Sequence, residues 1–171
     1  MGKLQAFLAT APGRFLLRYL VALGIAFALM ALPPVNERVV KPYTTFVAYE
    51  GAFFLRLFGE AVSVKEQILS SPRFAVAIYN GCNGLEAILI FVCGVLAFPA
   101  PVRRKLPGLL LGFVGIQLFN VVRIVALYYT GVFRPQWFST AHVLVWQSLV
   151  ILFAVSLWVM WAQRYGTAEA R

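Results

Sequence analysis

Three side chains of this 171-residue sequence could together make and break acyl bonds. Cys82 stands between two Asn/Gly pairs in "NGCNGLEAILIF", where an apolar run begins. Asn83, with Glu86 three residues on, fits an N-cap and capping box ahead of that run. A helix starting there sets the thiol beside free backbone N–H groups and the positive end of the dipole, where a thiolate is stabilised. Arg123 lies inside "GIQLFNVVRIVALYY", with apolar residues on both sides. An arginine within a span costs about 3 kcal/mol on insertion scales, so its presence points to function. Asn120, one turn deeper on nearly the same face, is placed to orient the guanidinium. His142, the sole histidine, opens the last apolar run. A nucleophile, a cation for thiolate or oxyanion, and a proton carrier are the parts that acyl transfer through a thioester requires.

Each residue also has an ordinary reading. Cys82 could be a small apolar filler, Arg123 a side chain snorkelling to lipid phosphate, and His142 an interfacial cap. The other cysteine, Cys93, is eleven residues on. In one helix that is about 16 Å away, too far for a disulfide, so Cys93 reads as filler. No C-x-x-C or metal-ligand cluster occurs, which leaves redox and zinc chemistry without support and calls for no metal or cofactor. Asp is absent altogether, so paired-aspartate chemistries are excluded.

The elements that must position these residues follow from composition. With 61% hydrophobic and 12% charged residues, the chain reads as a single multi-pass membrane domain over residues 1–171. The net charge of +9 reads as basic flanks of membrane spans rather than a nucleic-acid surface. A bilayer core of about 30 Å takes about 20 helical residues. Four runs approach that length: Phe15 to Leu32, Asn83 to Phe98, Leu106 to about Thr130, and His142 to Ala162. The second is short, at about 24 Å, which sinks Cys82 a little below the outer surface. Gly108 to Gly112 forms a GxxxG for helix packing.

Lys3, Arg14 and Arg18 flank the first run, and Arg103, Arg104 and Lys105 follow the second; both flanks belong inside. This puts the termini in the cytoplasm and Cys82, Arg123 and His142 toward the opposite face of the inner (plasma) membrane. "AFA" at Ala26 to Ala28 offers the first run an alternative reading as a cleaved signal. Between the first two runs, "TTFVAYEGAFFLRLFGEA" suits an interfacial helix. "VSVKEQIL" and "FAVAIYN" alternate with period two around the turn-like "SSPR", which predicts a β-hairpin. The expected architecture is all-α, with about four transmembrane helices, an interfacial helix and this small hairpin.

"NGCNGLEAILIFVCGVLAFP", then "LPGLLLGFVGIQLFNVVRI", then a solitary His at the head of the last span, resembles the exosortase/archaeosortase family. The likeness covers about residues 62–161, and the compact size is similar to the exosortase H subgroup. The family pattern of Cys-x-Gly-Leu, Asn-x-x-Arg and His implies Cys82, Arg123 and His142 as catalytic residues. Asn83, Gly84 and Asn120 would support them. The sequence departs from the pattern in carrying Asn83 where Ser is commoner, and an acid at Glu86. The resemblance further implies a membrane cysteine protease/transpeptidase. Its substrates would be exported proteins ending in a sorting signal of short motif, transmembrane helix and basic tail. In the H subgroup the motif is of an Ile-Pro-Thr-Leu type. Cleavage through a thioester would transfer the new C-terminus to a surface acceptor. The rival expectation is a non-catalytic multi-pass assembly factor or small channel, with Arg123 as an anchor and Cys82 as filler.

Overall fold

The structure is a computed structural model that describes residues 2–166. Its helices follow the apolar runs. A short α1 (Lys3–Leu8) leads into α2 (Ala11–Ala31), which Thr10 caps by accepting from the Gly13 N–H at 3.1 Å. Pro33 and Pro34 end α2, because proline has no N–H to continue the ladder. A turn of helix α3 (Pro33–Val35) and a π-helical turn (Asn36–Val40) then carry the chain into α4 (Lys41–Leu57). This α4 covers most of the segment expected to form an interfacial helix. It buries Val47, Ala48, Ala52 and Leu55 and exposes Phe46, Tyr49, Phe53 and Leu57 on the other side.

Beyond α4 the expected hairpin is a three-stranded antiparallel sheet: β1 (Ser63–Lys65), β2 (Ile68–Ser70) and β3 (Ala75–Ala77). Lys65 pairs with Ile68, so Glu66 and Gln67 make the first turn, with Glu66 at φ 57°. The "SSPR" stretch makes the second turn, between Ser70 and Ala75. The first turn leaves no signal in the sequence, because Glu-Gln lacks the Gly or Asn that usually marks a positive φ.

Of the four anticipated spans, three are helices long and apolar enough to cross a membrane: Ala11–Ala31, Val102–Phe133 and Pro135–Tyr165. The remaining one, α5 (Leu85–Ala97), has only 13 residues. The second long helix is α6 (Val102–Phe133). The third begins with a 3-10 turn (Pro135–Trp137) and α7 (Phe138–Thr140). It widens into a π-helical turn (Ala141–Trp146) and continues as α8 (Gln147–Gly166).

Small residues let these helices approach. A Cβ at Gly108 would lie 2.1 Å from Trp161 Nε1, and one at Gly112 would lie 2.0 Å from Phe91 Cε1. The GxxxG of α6 is thus a packing surface for α5 and α8, the role such spacing plays between membrane helices. Two hydrophobic clusters result. One joins α5, α6 and α8 through Phe91, Val95, Ile116 and Val150. The other joins α4, the sheet and α6 through Leu55, Leu69, Ile78 and Ile124, and it includes Cys82.

Candidate active site

Cys82 lies in the loop between β3 and α5. The loop turns through Gly81, at φ 86°, and Gly84, at φ 79°. Gly84 needs more than its dihedral freedom, since a Cβ there would come within 2.9 Å of Asn120 Cγ. The N-cap of α5 is Gly84 rather than Asn83, so the helix starts one residue later than the capping-box pattern predicts. The physical reason is long-range. Asn83 is fully buried and its amide is committed twice: Nδ2 donates to Thr44 Oγ1 of α4 at 2.8 Å, and Oδ1 accepts from the Leu85 N–H at 3.0 Å. Glu86 does reach back, but to the Gly81 N–H at 2.7 Å. Cys82 is therefore one step removed from the dipole, and its own N–H donates to Tyr79 O at 2.9 Å.

Arg123 is where the sequence reading placed it, deep on α6 and only 1% exposed. Its Nη2 donates to Gly81 O at 3.2 Å and to Gln147 Oε1 at 3.0 Å. Asn120 does not hold the guanidinium, contrary to expectation: both its side-chain polar atoms are buried without a hydrogen-bond partner, as are Nε and Nη1 of Arg123. Each such atom costs about 1–3 kcal/mol. Gln147 takes the role expected of Asn120. The signal for Gln147 in the sequence is a polar side chain inside an apolar run.

His142 stands on the π-helical turn that immediately precedes Gln147. In a π turn the hydrogen bonds run i to i+5, and such turns recur at functional sites. The imidazole is half-buried, stacks on Phe138 with centroids 6.1 Å apart, and lies within electrostatic range of Arg123. Among the described residues no hydrogen bond joins it to the thiol.

The thiol is 3% exposed, and both cysteines are free. Burial pushes the Cys82 thiol above its ordinary value, the Arg123 charge pulls it down, and the Glu86 carboxylate adds to the rise. At rest Cys82 is thus a neutral thiol in a closed site. Beside it runs a second polar seam, in which Gln117 of α6 donates to Glu50 and accepts from the Tyr43 hydroxyl at 2.6 Å. Burial, with Glu50 and Glu86 nearby, drives the Tyr43 phenol strongly upward, so it stays protonated and donates.

A largely helical chain with three span-length apolar helices and an arginine closed in its interior among polar side chains is a membrane protein built around a polar site. Its sequence matches the transmembrane exosortase family (Exosortase_EpsH) over residues 4–162, and the chain belongs to that family. No curated protein and no solved structure matches it.

Proposed function

We propose that this chain is an exosortase-like cysteine protease/transpeptidase of the inner membrane, with Cys82, Arg123 and His142 as catalytic residues. Cys82 Sγ attacks the scissile carbonyl carbon after its proton passes to His142. The new C–S bond forms as the oxyanion develops against Arg123. The C–N bond then breaks, and His142 returns the proton to the leaving amine, which carries the substrate's transmembrane helix and basic tail. An acceptor nucleophile, or water, attacks the thioester and restores the thiol. The substrates are exported proteins with a C-terminal sorting signal, and the reacting face is the extracytoplasmic one.

The observation that carries this reading is the grip on Gly81. Gly81, the residue before Cys82, is held at its N–H by Glu86 and at its C=O by Arg123. A filler cysteine needs no pair of opposite charges fixing the residue before it. Arg123 also keeps N–H groups free for an oxyanion. A thiolate about 4 Å from a guanidinium would gain about 4 kcal/mol at an effective dielectric near 20.

Burial of the thiol favours the rival reading, a non-catalytic assembly factor. Co-expression with an exported protein ending in motif, helix and basic tail separates the two. Wild type should remove the tail on a blot, and Cys82→Ala should insert normally yet leave the tail in place. A tail removed equally by Cys82→Ala sinks the thioester mechanism.

A further inference from the structure

We infer that Asn120, with the free N–H groups of Arg123, receives the backbone of an extended peptide, taking one peptide unit's C=O on Nδ2 and N–H on Oδ1. This deepens the proposed function and rests on it. Of the five buried side-chain polar atoms without a partner among the described residues, four belong to these two residues: Asn120 Nδ2 and Oδ1, and Arg123 Nε and Nη1. Native interiors pair nearly all such atoms, so a cluster of four on one turn of one helix calls for a ligand. The fold does satisfy a buried amide where its role is structural. Asn83 is as deeply buried as Asn120 and has both side-chain atoms engaged.

The cluster faces the nucleophile loop. Asn120 and Arg123 are three residues apart on α6, hence on one face. Asn120 packs against Gly84, where a Cβ would lie 3.2 Å from Nδ2, and Arg123 bonds to Gly81. Cys82 lies between the two contacts. A carboxamide offers one donor edge and one acceptor edge, the complement of a peptide group, whereas a cation would be repelled by the guanidinium. Both residues are closed off at rest, so the peptide enters only as the site opens.

The test uses the full chain in detergent, on a Cys93→Ala background, with two reagents that alkylate Cys82 by displacing halide. Iodoacetamide carries no peptide backbone; acetyl-Ala-Ala chloromethyl ketone does. Adducts are counted by mass spectrometry. The parent should take the peptidyl reagent with saturation. In Asn120→Leu, similar in shape but apolar, the ratio of peptidyl to iodoacetamide rate should fall at least tenfold while the melting temperature rises. An unchanged ratio overturns the inference. So does a lower melting temperature or failure to fold, because the amide would then be structural. If the parent shows no saturation with the peptidyl reagent, the protease reading itself fails, and that outcome is distinct from an unchanged ratio.

Discussion

Arg123 Nη2 donates to the carbonyl of Gly81, 3.2 Å away, and so binds α6 to the peptide that leads directly into Cys82. The same nitrogen reaches Gln147 Oε1 at 3.0 Å, which leaves the rest of the guanidinium fork for a substrate. Lysine keeps the charge but not the planar fork. Arg123→Lys should therefore lose about 10²-fold or more in single-turnover processing, the scale of removing an oxyanion donor. Processing near the wild-type rate would reduce Arg123 to a generic counter-charge.

The pH dependence of Cys82 alkylation reads the charges around the thiol. Burial and Glu86 both disfavour the thiolate, and Arg123 favours it. The wild-type rate should keep rising with pH beyond the ordinary thiol value of about 8.5. Glu86→Gln removes a negative charge while keeping an acceptor for the Gly81 N–H, so its midpoint should move to lower pH. Arg123→Gln should move it higher. A Glu86→Gln midpoint at or above that of wild type contradicts the geometry.

His142→Gln retains hydrogen bonding and cannot carry the proton. Trapping the acyl-enzyme over time should show thioester formation slowed by about 10²–10⁴. A thioester that forms at the normal rate removes His142 from the first step. Normal processing as well would make it an interfacial cap.

Gly81 and Gly84 separate backbone strain from crowding. Both have positive φ, but a Cβ at Gly81 meets nothing within 4 Å, while one at Gly84 collides with Asn120. Gly81→Ala should cost about 1–2 kcal/mol, the ordinary penalty for a left-handed residue with a side chain. Gly84→Ala should cost more and displace the Cys82 loop as well. Thermal unfolding in detergent gives the order, and equal losses would mean that the Asn120 contact is soft.

The long helices were legible because an unbroken apolar run with prolines at its end leaves the backbone little alternative. Cys82, Arg123 and His142 were legible as odd residue types in apolar surroundings. What escaped depends on partners far along the chain. Asn83 reads as a cap until Thr44, 39 residues away, claims its amide. Asn120 reads as Arg123's support until Gln147, 24 residues beyond the arginine, takes that place. Neither contact leaves a local pattern, because each is fixed by how α4 and α8 pack on the Cys82 loop and α6.

The brevity of α5 has a consequence for the surrounding lipid. Thirteen residues rise about 20 Å, against a hydrocarbon core of about 30 Å. On the proposed reading, in which α5 crosses the bilayer, so short a helix imposes a hydrophobic mismatch that thinning of the bilayer around it relieves. The Gly81–Gly84 loop sits at the head of that helix, so on this reading the thinning draws headgroups and water toward the closed site around Cys82. Bilayer thickness thereby becomes a variable of the proposed chemistry: thicker membranes would raise the energy needed to bring water and an acceptor to Cys82, and thinner ones would lower it.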